Sequence, residues 1–448
     1  MEFDNDNLLH VPDREGLPAD DPAFAMLKKG IQLIEENRVE EALAQFEQAT
    51  KFVPGSIHAW HFRGGVELSL DRLEDAAHSF QQALTLEPDN IEIQYLQAHT
   101  HFRQDLVEEA AGEFQNILEK KPDFLEAYYD CGVALQIMGR YDDAVMTFLR
   151  RLDFSPDFDT SIMCAMTYEL LEDYDHAEEQ YADALSLDPE NTMVLESHGA
   201  VCLELERYDD AMADFQKSLL LDPESPDALY GRGHTFFCMD KTDEALADLS
   251  KVVQIDPENT LAWSMLGQVK LYLEAYDEAL QCFDQALDLD PDLLIYDFRA
   301  EAKRGLGDLD GAVKELETGL EIEPENIDLL QDLADLRSER GDFAGALECL
   351  NRAMAVEPSA DLFMQRGMTQ MDLLNFEEAE RDFTQRILRE ADSIESYLLR
   401  GDVRYQLGKT ETALEDFRYA LKLAEAQNHR KSIVRCKKII EKILHSED

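Results

Sequence analysis

The stretch Thr260–Pro291, TLAWSMLGQVKLYLEAYDEALQCFDQALDLDP, decides how the chain folds, because the residues from about 23 to 425 repeat it. Its first half sets Trp263, Leu266, Gly267 and Lys270 at steps of three, one and three, and its second half sets Ala279, Phe283 and Ala286 at four and three. Those steps follow one face of an α-helix. The spacing therefore predicts two amphipathic helices joined through Glu274, Ala275 and Tyr276. Pro291 closes the unit, since it has no N–H to offer a continuing helix.

At the place of Ala279 the chain carries Ala42, Ala76, Ala110, Ala144, Ala177, Ala211, Ala245, Ala279, Ala312, Ala346, Ala379 and Ala413, spaced by 34 residues except for three gaps of 33. Prolines keep the same beat from Pro54 to Pro358. A fixed period of this length marks a solenoid, in which a helix pair cannot bury its apolar face alone and stacks on its neighbours. The place of Gly267 is always glycine or alanine, although glycine inside a helix costs about 1 kcal/mol against alanine. A tight crossing of the two helices accounts for it, and the Phe283 place, mostly Phe, Tyr or Leu, fills the remaining gap.

The 34-residue unit, with Trp or Tyr, then Gly or Ala, then Ala, Phe, Ala and a closing Pro, resembles the tetratricopeptide repeat, and about twelve copies cover most of the chain. The resemblance implies an all-α, right-handed superhelical α-solenoid with a concave groove lined by first helices, acting as a non-enzymatic scaffold for a protein or peptide segment. The pentatricopeptide type, of similar length, reads RNA and requires a basic groove, which this acidic chain does not offer. Relatives that clamp the acidic tails of heat-shock chaperones use Lys, Asn and Arg on the groove face. Here those places hold His61, Gly65, Tyr95, His99, Tyr129 and Val133, so the clamp and that role are not expected.

With 96 acidic against 41 basic residues, the net charge is −55. Nucleic acid is excluded as a partner, since its binding relies on basic side chains that displace counterions. Such a charge keeps a long array soluble and monomeric, and it also suits capture of a basic protein segment, the alternative function being an acidic chaperone or adaptor driven by charge. No apolar run reaches the about 18 residues needed to cross a bilayer, and MEFDNDNLLH has acids where a signal peptide wants bases, so a cytoplasmic location is expected. The seven cysteines lack paired spacing and are expected to be reduced thiols. No catalytic, cofactor-binding or metal-ligating residue is expected: there is no Cys-x-x-Cys or Cys/His grouping, and a zinc site from His58, His61, His99 and His101 is set aside because His58 and His101 need not face the same way.

On the front helix, the residues two before and one, five and eight after Trp263 fall away from the second helix. That face is expected to line the groove. It supplies His61 in the second unit, Tyr95 and His99 in the third, Tyr129 and Gln136 in the fourth, and Tyr230, His234 and Phe237 in the seventh. The Tyr/His pairs 95/99 and 230/234 sit one turn apart and suit stacking on a peptide. Later units are more acidic here, with Asp297, Glu301, Asp328, Asp335, Glu395 and Asp402.

Three domains are expected: an acidic, disordered tail over 1–22, the array over 23–425 and a basic capping helix over 426–448, with Ile433, Cys436, Ile440, Ile443 and Leu444 as its apolar stripe. One-residue contractions follow Pro156, Pro291 and Pro358, and Arg151 and Arg386 replace a small residue at the place of Ala286. Asn90, Asn191, Asn259 and Asn326 are the expected N-caps, and Gly139, Gly307, Gly341 and Gly408 the expected left-handed ends of first helices.

Overall fold

In the computed structural model the residues 23–290 and 293–446 are described, and their regular structure is entirely helical. The expected tail over 1–22 and the turn at Pro291 lie outside the described residues. The helices are numbered in chain order, from α1 (Phe24–Glu35) and α2 (Val39–Phe52) to α25 (Arg430–Ser446), so that odd numbers are first helices and even numbers second helices of the repeats, and α25 follows them. The chain divides into two compact units, one ending at Thr235 and the next beginning at Phe236.

Most first helices begin at a side-chain cap. The side chains of Asn90, Asn191, Asn259 and Asn326 accept from the backbone N–H three residues on, and Ser56, Asp157, Ser359 and Ser393 do the same elsewhere. The aromatic of the front helix has a second task besides packing: Trp60 and Trp263 donate Nε1–H to the carbonyls of Pro54 and Pro257 at 3.0 Å, which ties the helix to the turn before it. After Pro156 and Pro358 the cap follows the proline directly, at Asp157 and Ser359, while the first helices α9 (Phe158–Leu170) and α21 (Ala360–Asp372) keep 13 residues. The contraction is thus taken from the turn.

First helices end in the left-handed region. The four glycines do so as expected, with φ of 72–79°, and eight non-glycine residues, among them Asp71, Glu172, Glu274 and Leu374, adopt the same conformation at the ends of the other first helices. The sequence rule was too narrow because Asn and Asp tolerate this region by bonding locally. Glu172, Glu206, Glu274 and Leu374 have no such compensation and are held there by the flanking helices.

The packing unit is one ring and one small residue. All twelve alanines at the Ala279 place are fully buried, and the large residue four positions on is at most 2% exposed in every hairpin. Where the Gly267 place is glycine and the large residue is Phe, the ring lies against the glycine: a Cβ added at Gly64, Gly132 or Gly267 would meet Phe80, Phe148 or Phe283 at 2.7, 2.3 or 2.4 Å. Ala300 and Ala334 face the smaller Leu316 and Leu350, whereas Ala98 and Ala165 retain the rings Phe114 and Tyr181. Second helices pack in turn on the next first helix, from α2 against α3 in one unit to α24 against α25 in the other, and neighbouring first helices touch, as α5 (Ile91–Arg103) does α7 (Leu125–Ile137).

At the end of the array, α25 packs on α24 (Thr410–Ala426) through Cys436 and Ile443, with Ile439 and Ile440 beside them. Leu444 is exposed rather than part of that stripe. Arg151 and Arg386 reach carboxylates across their seams, Asp157 at 2.9 Å and Asp361 at 3.0 Å, but each leaves its Nε buried without a hydrogen bond. The second helix carrying Arg151, α8 (Tyr141–Leu152), has 12 residues where most have 14.

Gly132→Ala is expected to destabilise the protein by about 1–3 kcal/mol, the usual cost of overpacking. Adding Phe148→Leu, which copies the Ala/Leu pairs, should recover more than half of that loss. Denaturant unfolding of both variants checks it, and additive losses would contradict the pairing.

Candidate functional site

Within each unit the repeating hairpins place side chains at the same offsets of their first helices, and the residues expected to bind a partner lie there at different depths. Tyr95, Tyr129, Gln136, Tyr230, His234 and Phe237 are half-buried, while His61 and His99 are only 7% exposed. The Tyr95/His99 and Tyr230/His234 pairs adopt the same arrangement, with ring centroids 6.2 Å apart in both. Tyr95 also packs against Phe114 and Phe124 and donates its hydroxyl to Asp130 Oδ2 of the next first helix at 2.7 Å. Its hydroxyl is thus engaged within the protein. In the second unit, Phe237 stands edge-on to Tyr272 at 5.6 Å.

A cavity of about 400 Å³ opens on this face, lined by Gln136 of α7, Ile162, Met166, Glu169 and Leu170 of α9, Tyr181 of α10 (Tyr174–Leu187), and Met193, Val194 and Ser197 of α11 (Thr192–Glu204). Its rim is unusually apolar for a free surface, with Leu170 54% and Met193 58% exposed. Tyr181 donates to Glu169 at the wall, a polar group in an apolar setting. Of the expected residues only Gln136 borders this cavity. The others follow from the same rule: the same offsets from the Trp263 place select Ile162, Met166 and Glu169 in the fifth repeat and Met193 in the sixth, but those offsets carry no aromatic or histidine residue there.

The first-helix face of the second unit is acidic, as the sequence predicts. Burial first, and then repulsion from Asp297, Asp335 and Asp328, pushes Asp332 up to about 6, and Asp297, Asp335 and Asp402 are raised in the same direction. Asp332 was not foreseen there; it lies one residue past the offset used.

Family models described as tetratricopeptide repeat match residues 27–91, 95–157, 171–228, 203–260 and 364–428, and further models of that description match 260–293 and 304–364. The chain belongs to the tetratricopeptide repeat family. It is similar to human "Tetratricopeptide repeat protein 13", 28% identical over 126 residues that make up 28% of this chain and span only 15% of the human protein. Similar solved structures include the APC/C hetero-tetramer Cut9–Hcn1, at 14% identity over 95% of this chain and 96% of that one with a TM-score of 0.41. Yeast Tom70 matches at 17% identity over 95% and 96% of the two chains, also with a TM-score of 0.41.

A tetratricopeptide repeat array keeps its face rigid through seams such as Tyr95–Asp130, and the electrostatics of that seam set a pH response. Burial is the main cause, opposed by the Tyr95 hydrogen bond, that raises Asp130 from an ordinary 3.8 to about 6. Burial likewise lowers His99 to about 4, with Arg103 adding to it, so this imidazole is neutral at pH 7. Because the folded state holds the Asp130 proton more tightly than the unfolded chain, its contribution is complete below about pH 4 and is lost as pH rises through about 6. After allowing for partial exposure the loss is about 2 kcal/mol. Asp130→Asn, which still accepts from Tyr95, should remove this step and be the more stable form at pH 7. Denaturant midpoints of the two forms across this range check it; parallel profiles would contradict it.

Proposed function

We propose that the chain is a protein-binding scaffold that holds a peptide segment along the concave face made by its first helices, with an apolar side chain of the ligand seated in the cavity among Ile162, Met166, Leu170 and Met193. The exposed methionines and leucine around that cavity carry the reading. A free surface does not normally keep such side chains in water unless something covers them, and methionine adapts its shape to varied ligands. Gln136 and the Tyr181–Glu169 pair add hydrogen-bonding groups that orient a backbone beside the apolar anchor. The half-buried Tyr95, Tyr129, Tyr230 and Phe237, and His234 beside them, extend the contact surface with rigid rings.

The acidic face of the second unit favours a ligand with a basic stretch as well, which is the charge-driven alternative. Carboxylates that are crowded and partly removed from water gain from a nearby Lys or Arg, because the cation offsets both the burial of their charge and their mutual repulsion. Shape supplies the anchor in this reading, and charge sets the encounter rate and the salt dependence.

Selection of displayed random peptides against the full chain should enrich sequences that combine an apolar residue with Lys or Arg. Their binding should weaken at least tenfold, about 1.4 kcal/mol, in Met166→Asp and change little in Leu220→Asp, which alters an exposed leucine on a second helix. Peptides that lose affinity only when salt is raised, and not with Met166→Asp, would favour the charge-driven reading alone.

A further inference from the structure

One seam between consecutive repeats occurs in two chemical versions. In the version formed by α22 (Phe376–Arg389), α23 (Ile394–Gln406) and α24, the carboxylates Glu380 and Asp416 are balanced by three cations. Arg400 and Arg404 bond Asp416 at 2.7 and 2.9 Å, and Arg404 and Lys409 both bond Glu380. The corresponding places in α10, α11 and α12 (Tyr208–Leu221) keep both acids, Glu178 and Asp214, and keep Arg207 where Lys409 stands. The two arginines, however, are replaced by His198 and Cys202.

The replacements converge. His198 and Cys202 lie one turn apart on α11, and their Nε2 and Sγ atoms are 3.9 Å apart. Glu178 Oε1 is 3.6 Å from the same Nε2, and the three donor atoms all lie within 4.8 Å of one another. Ligand atoms around a tetrahedral zinc ion stand about 3.3–3.7 Å apart, so only small side-chain shifts separate this cluster from a coordination shell. The far sides of the donors are already held. His198 Nδ1 bonds Asp214 Oδ2 at 2.6 Å, which aims Nε2 into the cluster, and Glu178 turns its other oxygen to Arg207 at 3.3 Å. Such outer partners are the usual support of a metal centre. The absence of any Cys/His grouping expected from spacing is thus corrected: a His-x-x-x-Cys step is a pair on a helix, and its third donor comes from the preceding helix.

We infer that Glu178, His198 and Cys202 bind a single zinc ion that staples the fifth repeat to the sixth. Sulfur, nitrogen and oxygen donors together suit this borderline-soft ion, and a water completes the tetrahedron. On binding, Cys202 gives up its Sγ proton, and His198 any proton on Nε2, to solvent, while Nδ1–H remains donated to Asp214. The ion's two charges then replace those that the arginines supply in the other version. Cys202 is fully buried, and the half-buried Glu178 side of the cluster is the way in. The inference is independent of what the first-helix face binds.

The test uses the full chain, free of any affinity tag and stripped by a chelator, titrated with zinc against a chromophoric competitor, and with cobalt in its place. One tight zinc per chain and a thiolate-to-cobalt absorption band are expected. His198→Arg with Cys202→Arg copies Arg400 and Arg404, and should weaken zinc at least 100-fold and abolish the band. If that variant does not fold, Cys202→Ser and Glu178→Gln carry the same comparison. Equal zinc affinity in parent and variants, or a cobalt complex without the thiolate band, would overturn the inference.

Discussion

The closest contact in most hairpins is between an aromatic ring of the second helix and the bare backbone of the first, and the architecture follows from it. In seven hairpins the ring four residues after a buried alanine lies against a glycine sixteen residues before it, where an added Cβ would sit inside the ring's van der Waals surface; Ala98 and Ala165 take that place beside Phe114 and Tyr181. The crossing it permits brings the helices close enough for alanine to be buried completely. Neither helix has a complete apolar surface of its own, so the outer side of every second helix is left for the next hairpin. Where the ring shrinks to Leu316 or Leu350, the glycine grows to Ala300 or Ala334, an exchange of volume across the crossing, although Leu249 keeps Gly233.

This constraint explains why so much of the fold was legible in the sequence. Period, capping and small-residue places are local rules repeated about a dozen times, and a repeated weak signal becomes a strong one. The turn chemistry was only partly legible, since the left-handed position accepts Asp and Glu as well as glycine once the flanking helices fix the backbone. Depth was the hardest thing to read. His61 and His99 occupy first-helix offsets but are buried, and His99 shows why: it sits beside Tyr95 of its own helix, which itself leans on Phe114 of the same hairpin and on Phe124 at the start of the next. A helical offset states a direction, and the packing of the next repeat decides how far along it water reaches.

The same limit applies to charge. A surplus of acids says that the surface is negative, yet it does not say which carboxylates are crowded enough to resist ionisation. Asp332 and Asp130 both rise to about 6 for the same leading cause, burial, but one is surrounded by other acids and the other by a tyrosine hydroxyl. The first is primed to receive a cation, and the second holds two repeats in register. Seams that carry paired Arg and Asp, as at Arg400–Asp416, have spent their charge internally and offer none to a partner.

Tyr181 shows how a repeat can lend a core position to its first-helix face without giving up its fold. Its ring, 1% exposed, occupies the place that phenylalanine holds in most hairpins, so burial of the ring supplies the packing. Its hydroxyl has to find a partner there, since an unpaired buried O–H costs about 1–3 kcal/mol. It finds Glu169 on the first-helix face, and in doing so raises a polar wall in the cavity lined by Met166 and Met193. A phenylalanine would pack as well but leave Glu169 half-buried with its own pKa already raised by desolvation and no donor to offset it. The single oxygen that distinguishes Tyr181 from its counterparts thus links the requirement for a filled core to the chemistry available at the surface.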